Sequence, residues 1–243
     1  MKTNTTALIF GIAIVLAAFF LGKAYKDRAK KDGTIQVTGL GKADFTSDLI
    51  VWEGSFNVQN ANLQQAYNNL KKNQSIIKNY LSSKGIEENE MVFSAVQTNK
   101  ETRTLYSDEG RYMGEEFIGY RLDQSIQIDS KDVEKVEKVS REITELLNQG
   151  VQLYSQPPRY YYTKLSDLKI EMISKATEDA RVRAEKIAEN AGGKLGKLES
   201  AKMGVFQITG QNSQEDYSWG GTYNTNSKDK TASITMKLDY KLK

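Results

Sequence analysis

A chain of 243 residues with neither histidine nor cysteine sets several chemistries aside before any pattern is read. Without cysteine there is no disulfide, Fe–S cluster, thiol nucleophile or lipidated cysteine anchor; without histidine there is no Ser-His-Asp or Cys-His arrangement, and the commonest general base and zinc ligand are missing. The formal net charge is +3, but six of the 34 Lys and Arg and two of the 31 acids fall in residues 1–32, leaving 28 against 29 beyond them, so the basicity is local to the N-terminus and is no nucleic-acid footprint.

Thr3 to Gly22 carries no charged side chain, is almost continuously apolar from Ala7, and is followed by Lys23, Lys26, Arg28, Lys30 and Lys31. About twenty residues at a helical rise of 1.5 Å span a hydrocarbon core of roughly 30 Å. A secretory signal would have a shorter apolar core, about 7 to 15 residues, and small residues at its cleavage site; only Gly22-Lys23-Ala24 offers one here. Residues 1–32 are therefore read as an uncleaved anchor touching the membrane through residues 3–22, with a cleaved signal as the alternative. Taken alone, the excess of Lys and Arg after the span leaves the C-terminal region in the cytoplasm.

Thr34 to Thr38 predicts a short strand and Asp48 to Gln59 a longer one, with Ile50, Trp52, Ser55 or Phe56, and Val58 alternating around an irregularity at Gly54. Asn62 and Gln65 stand at capping-box spacing before a helix whose apolar positions are Leu63, Tyr67, Leu70, Ile77 and Leu81, interrupted by Gln74. Lys84-Gly85-Ile86 has the order of a glycine-terminated stop. Met91 to Tyr106 and Tyr112 to Asp129 predict two strands joined in a hairpin at Ser107-Asp108-Glu109-Gly110. A second helix starts near Asp129 or Ser130, with Val133, Val136, Ile143 and Leu147 as its stripe, Gly150 as its stop, and Glu134/Lys138 and Glu137/Arg141 as ion pairs. Val151 to Tyr162 is extended, and Pro157 and Pro158 put an edge or a break in it.

Residues 48–162 thus give the ferredoxin-like βαββαβ order, which packs two helices on one face of an antiparallel sheet. Residues 33–47 plus 163–243 hold the early strand, a long helix from Ser166 to Ala191, and strands at Lys197 to Thr209 and Lys230 to Lys241, which together read as a second α/β unit. The expected fold class is α+β: an N-terminal transmembrane or signal helix, then two interlocked two-layer α/β units, one of them ferredoxin-like. Gly210 to Asp229, rich in Asn, Ser, Gln, Gly and Thr, is read as a long mobile loop.

Few residues invite a chemical reading. Gly39-Leu40-Gly41 has too few glycines for a nucleotide-binding turn and is read as an ordinary flexible turn. The carboxylates Glu87, Glu88 and Glu90, and Asp108, Glu109, Glu115 and Glu116, lack calcium-loop spacing and sit at predicted turns. Tyr160-Tyr161-Tyr162 alternates across a strand, so the three rings make no single platform and read as sheet packing. Tyr217, Trp219 and Tyr223, displayed on a polar loop, are the candidate partner-contact residues. On the long helix Ala176, Ala180, Ala184, Ile187, Ala188 and Ala191 form a small-residue stripe, with Asp179 and Arg183 at pairing distance on the solvated side.

Several of these segments together resemble a known family. They are Ile35-Gln-Val-Thr-Gly-Leu-Gly-Lys-Ala43, the Lys84-Gly85-Ile86 turn, Gly119-Tyr120 opening a strand, and the run from Ala176 through Asp179-Ala180-Arg181, Arg183-Ala184-Glu185 and Ile187-Ala188 to Ala191-Gly192-Gly193 and Leu195-Gly196. Over residues 34 to 243 the chain resembles the SIMPL domain family, formerly a domain of unknown function, which includes periplasmic immunogenic proteins. The chain departs from the common pattern at Thr46-Ser47-Asp48, where many members place a proline before the aspartate. The resemblance implies an extracytoplasmic protein of two interlocked α/β units, with links to envelope or oxidative stress, a member forming large rings, and no established catalytic residue.

The expectation is then a membrane-anchored, extracytoplasmic binding or assembly module rather than an enzyme. It sits single-pass in the cytoplasmic membrane with its soluble domain in the periplasm or otherwise outside the cytoplasm. It carries no cofactor, metal or nucleic acid; its partners are the membrane, further copies of itself and possible envelope proteins. The runner-up is a small-molecule sensor using the ferredoxin-like sheet, followed by a hydrolase whose Asp or Glu residues act without histidine.

Overall fold

The computed structural model describes residues 2–29 and 33–243. Helix α1 (Lys2–Ala29) contains Leu8–Lys26, whose mean hydropathy of 2.2 and lack of any burial make it long and apolar enough to cross a membrane, a test that a signal sequence also passes. Its large apolar side chains, Leu8 through Leu21, are exposed on every side, so no stripe is set aside for a protein core. Of the basic cluster, Lys30 and Lys31 lie outside the described residues. The chain divides into two units, Ala43–Ile170 with Phe206–Ala232, and Met1–Lys42 with Glu171–Val205 and Ser233–Lys243.

In the first unit, β2 (Leu49–Asn60) pairs antiparallel with β5 (Tyr112–Ser130) in an unbroken register from Ile50↔Ser130 to Asn60↔Tyr120. The irregularity expected at Gly54 is absent. Gly54 instead leaves room on the buried face, where a Cβ would stand 2.7 Å from Leu153 Cδ2. The far edge of β5 carries β3 (Met91–Phe93) and β4 (Gln97–Tyr106), and the far edge of β2 carries β6 (Leu153–Ser155) and β7 (Arg159–Tyr161), all antiparallel. The strand expected over Met91 to Tyr106 is split because Ser94 takes over part of the ladder: its Oγ accepts from the Ser125 amide at 3.0 Å. Pro157 and Pro158 fall between β6 and β7, where the missing donors cost no pairing.

Helices α2 (Leu63–Ser83) and α3 (Val133–Glu142) both pack on the sheet face bearing Ile50, Trp52, Phe56, Leu122, Ile126 and Ile128. Burying each of these large side chains is worth about 1.5–3 kcal/mol, so this face supplies most of the unit's cohesion. Asn62 caps α2 by accepting from the Gln65 amide at 3.1 Å, and the paired bonds from Ile86 to Leu81 and from Gly85 to Ser82 close its other end as the sequence predicts. The stripe is shifted, however. Ala66, Leu70, Ile77, Tyr80 and Leu81 are buried, whereas Leu63 and Tyr67 are each 44% exposed. In α3 the miss has a geometric cause: from Ile143 to Gln149 the helix tightens to a 3-10 turn, three residues per turn, so Leu146 follows Ile143 into the core and Leu147 points outward. Arg141 pairs with Glu137 at 3.4 Å as expected, but Lys138 reaches Glu142 at 3.8 Å and Glu134 reaches Lys228 at 3.6 Å.

The second unit centres on β1 (Thr34–Thr46), β10 (Asp229–Leu242) and β8 (Leu195–Met203), in the order β1-β10-β8; β9 (Gln207–Gly210) falls in the Phe206–Ala232 segment of the first unit, as do the first residues of β10, and pairs β10. Strand β1 runs well past Thr38, so Gly39-Leu40-Gly41 is mid-strand and not a turn. The two glycines answer to helix α4 (Leu165–Asn190). A Cβ on Gly39 would collide with the Ala176 carbonyl and stand 2.7 Å from the Ala180 methyl, and one on Gly41 would run into the Met172 carbonyl. The buried stripe Met172, Ala176, Ala180, Ala184 and Ala188 thus lets helix backbone approach strand backbone. Ile187 and Ala191 are off this stripe and exposed. Asp179 does more than pair with Arg183 at 3.0 Å: its other role is to accept from the Leu40 amide at 2.8 Å, which holds its carboxyl below the ordinary carboxylate range.

The segment after β9 is not the loose loop its composition suggests. The Gln207 side chain accepts from Ser218 and Thr222 amides and donates to the Ser218 carbonyl, and Glu215 bridges the Gly210 amide and the Asn224 side chain. Asn224, 7% exposed, closes the net onto the Ser227 amide. Polar side chains here supply the order that an apolar core supplies elsewhere.

Candidate functional site

Residues three apart on a regular strand point to opposite faces. Phe117 and Tyr120 nonetheless share one. Lys100 faces Tyr120 and Glu101 faces Gly119, but Thr102 faces Phe117, so Ile118 is an extra residue in β5 and a bulge turns Phe117 onto the helix side. Gly119, at φ 153 and 2.9 Å from the Asn60 carbonyl as measured to an added Cβ, supplies the backbone this bulge requires. The rings of Phe117 and Tyr120 meet edge to face, 5.1 Å between centroids.

Helix α2 covers β2 and β5 but leaves the inner face of β4 uncovered, and a cleft of about 840 Å³ opens there. Its walls are Leu63, Gln64 and Tyr67 at the start of α2, Val96 and Thr98 on the β4 side, and Phe117, Tyr120 and Leu122 on β5, with Ala61 and Asn62 closing the end. No lining residue carries a charge. The two α2 positions expected in the core, Leu63 and Tyr67, are the ones that line it, and the Lys71 ammonium lies 5.7 Å over the Tyr67 ring. Chemically the cleft suits a neutral group with an aromatic or branched apolar body and a few amide or hydroxyl contacts. Gly119, expected to open a strand, instead sits inside β5 at the bulge, and a glycine within an otherwise β-rich run is the sequence signal for it.

The sequence-nominated contact residues lie elsewhere. Trp219 is completely exposed, Tyr217 is 66% and Tyr223 47% exposed, and none of the three lines this cleft. Tyr160 is buried and donates to Glu137 at 3.2 Å, while Tyr162 rests against Phe45 with centroids 4.8 Å apart, in keeping with packing roles. Of the acidic clusters, Glu87 and Glu90 cap a short 3-10 segment and Glu88 pairs with Lys78, but Glu115 and Glu116 lie inside β5 and not at a turn, Glu116 pairing across the strands with Arg103 at 2.5 Å. On the sheet's polar side, a smaller recess of about 440 Å³ is lined by Glu53, Ser55, Gln156, Pro157, Arg159 and Asn226.

One nucleophile-and-base geometry does form, between residues too distant in sequence to be paired by eye. Lys230 Nζ donates to Ser47 Oγ at 3.0 Å and also to the Tyr160 carbonyl. Burial pushes this ammonium down to about 8. Lys230 is 1% and Ser47 4% exposed, so the hydroxyl has no access to a substrate, and the pair ties together β7, the β1–β2 turn and the start of β10.

The segments quoted for the resemblance now have places: the glycines of β1, the Ala stripe of α4 that meets them, and the bulge at Gly119. A family model, SIMPL, described as a protein of unknown function (DUF541), matches residues 35–238. The chain belongs to the SIMPL family. The SIMPL match begins in β1 and ends in β10, so it takes in the cleft and leaves α1 outside. No curated protein matches the chain.

Proposed function

We propose that this SIMPL chain is a non-enzymatic binding module, tethered by α1 to the outer face of the cytoplasmic membrane, that holds an uncharged aromatic or apolar group of an envelope partner in the cleft beneath β4. The observation that carries the reading is the uncharged lining of that cleft, with Phe117 turned into it by a bulge. The strand order β4-β5-β2-β6, with α2 and α3 on one face, favours a ferredoxin-like description of this unit, a framework that leaves edge strands open to ligands. The sealed Ser47–Lys230 pair favours binding over hydrolysis. Self-association, with Trp219 in the contact, belongs to the same proposal.

Two measurements test it. Saturation-transfer NMR of the full-length chain in nanodiscs with N-acetyl-phenylalaninamide, an uncharged probe, should show ring contacts that Phe117→Ser removes; equal signal in the variant sinks the cleft. Intact mass and protease shaving of spheroplasts should find residues 1–32 retained and the C-terminus cleaved from outside; a product beginning near Ala24, or a protected C-terminus, sinks the corresponding half of the topology.

A further inference from the structure

Strand β4 pairs with β5 along one edge, and among the described residues its other edge pairs with no strand. Natural edges are guarded by charge, proline or a bulge. The guard on β4 is uneven: Lys100, Glu101 and Arg103 protect its distal half, while Val96, Gln97, Thr98 and Asn99 carry no charge. The unguarded stretch is the part that borders the cleft, since Val96 and Thr98 line it. Anything that adds to this edge as a strand therefore sends every second side chain over the cleft.

The cross-strand register fixes which side chains those are. Thr98 is opposite Leu122 and Lys100 opposite Tyr120, and cross-strand neighbours share a face, so Thr98 and Lys100 both stand on the cleft side, two residues apart. Lys100 is exposed and has no ion-pair partner among the described residues. An added strand places one residue over the apolar cleft next to Thr98, and the residue two positions away beside the Lys100 ammonium.

We infer that the cleft's occupant is an extended peptide segment that joins β4 as an additional strand, with an aromatic or large apolar side chain in the cleft and a carboxylate two residues away on Lys100. Main-chain bonds supply the affinity, and the apolar-x-acidic spacing supplies the selectivity. Either chain direction meets the spacing, so the segment reads apolar-x-acidic or acidic-x-apolar according to whether it runs parallel or antiparallel to β4. This inference rests on the cleft being the binding site.

The test uses the full-length chain in nanodiscs and fluorescence anisotropy with dye-labelled Thr-Phe-Thr-Asp-Thr-Gly and Thr-Asp-Thr-Phe-Thr-Gly. One order should bind at least tenfold tighter than its Asp→Lys counterpart, and Lys100→Glu should invert that preference. Methylating alternate amide nitrogens in the peptide should abolish binding for one alternate set and spare it for the other, because only one set faces the edge. Equal loss or equal retention for both sets, or an unchanged preference in Lys100→Glu, overturns the inference. If the peptides fail while N-acetyl-phenylalaninamide still binds and is lost in Phe117→Ser, this inference falls and the cleft reading stands; if the small probe fails as well, both fall. Saturable binding of neutral chitotriose in place of the peptides also overturns it.

Discussion

The Lys230 ammonium donates to the Ser47 hydroxyl at 3.0 Å inside a region where neither side chain reaches solvent. Burial lowers its pKa from 10.5 to about 8, and no carboxylate contributes to offset that. Since the folded value lies below the unfolded one, the unfolded chain binds more protons between the two, and stability rises as pH rises through that window. Below about 8 the lysine is charged in both states and its burial cost is fully felt.

The sign can be isolated. Tyr160, pushed up to about 12 first by burial and then by Glu137, contributes stability that is present below pH 10 and lost above it, and Lys84, raised first by Glu142 and then by Glu145, changes only above 10.5. Urea unfolding of the wild type should therefore show stability climbing from pH 8 to pH 10, by about 1.4 kcal/mol per unit of displaced pKa. Lys230→Met should flatten that slope. An equal slope in the variant would assign the titration to another group.

The 3-10 continuation of α3 makes a pair of adjacent leucines unequal. Leu146 is fully buried and Leu147 is 57% exposed. Leu146→Ala should cost about 2–5 kcal/mol, and Leu147→Ala about 0.5 kcal/mol or less, by denaturant midpoint at constant slope. A straight α-helix through Gln149 would turn both residues, three and four beyond Ile143, toward the core, so similar costs at the two sites would argue against the tightened turn.

How far the sequence could be read depends on the distance over which each feature is decided. The Asn62 cap, the Gly85 stop, the Ser107–Gly110 hairpin and the extent of α4 are set by neighbours within about four residues, and they stand where pattern places them. The role of Gly39 is set by Ala176 and Ala180, well over a hundred residues onward, and a local reading could only see a flexible turn. The cleft was hidden for a similar reason: Phe117 and Tyr120 fall on opposite faces of any ideal strand, and only pairing with β4 reveals the extra residue. Composition misled most in the segment after β9, where Gln207, Glu215 and Asn224 substitute hydrogen bonds for apolar burial.

That long-range contact gives a severe test within the second unit. Adding one methyl at Gly39 drives it into the Ala176 carbonyl and the Ala180 amide, backbone atoms that have no rotamer to escape through. Gly39→Ala should destabilise by about 3 kcal/mol or more, the upper end of over-packing costs. Gly110→Ala, at a turn with nothing near the added carbon, serves as the control: its penalty is only that of a positive φ, about 1 kcal/mol. Thermal unfolding of the two variants should rank them in that order, and near-equality would mean that α4 gives way without cost.

Trp219 is wholly exposed on a segment that is otherwise cross-tied by Gln207 and Glu215, so its ring is displayed from a fixed base and not from a floppy one. A rigid display lowers the ordering cost of a contact. Burying an indole of about 200 Å² recovers on the order of 4–5 kcal/mol, enough to decide between a monomer and an assembly at micromolar concentration. Sedimentation equilibrium of the detergent-solubilised full-length chain over a wide concentration range should find species above monomer. Trp219→Ala should shift that equilibrium toward monomer by at least tenfold while lowering thermal stability little, because the side chain touches no core. If the wild type stays monomeric at high micromolar concentration, self-association fails; if wild type and variant assemble alike, Trp219 is not in the contact, and the unpaired edge of β4 becomes the next surface to interrupt.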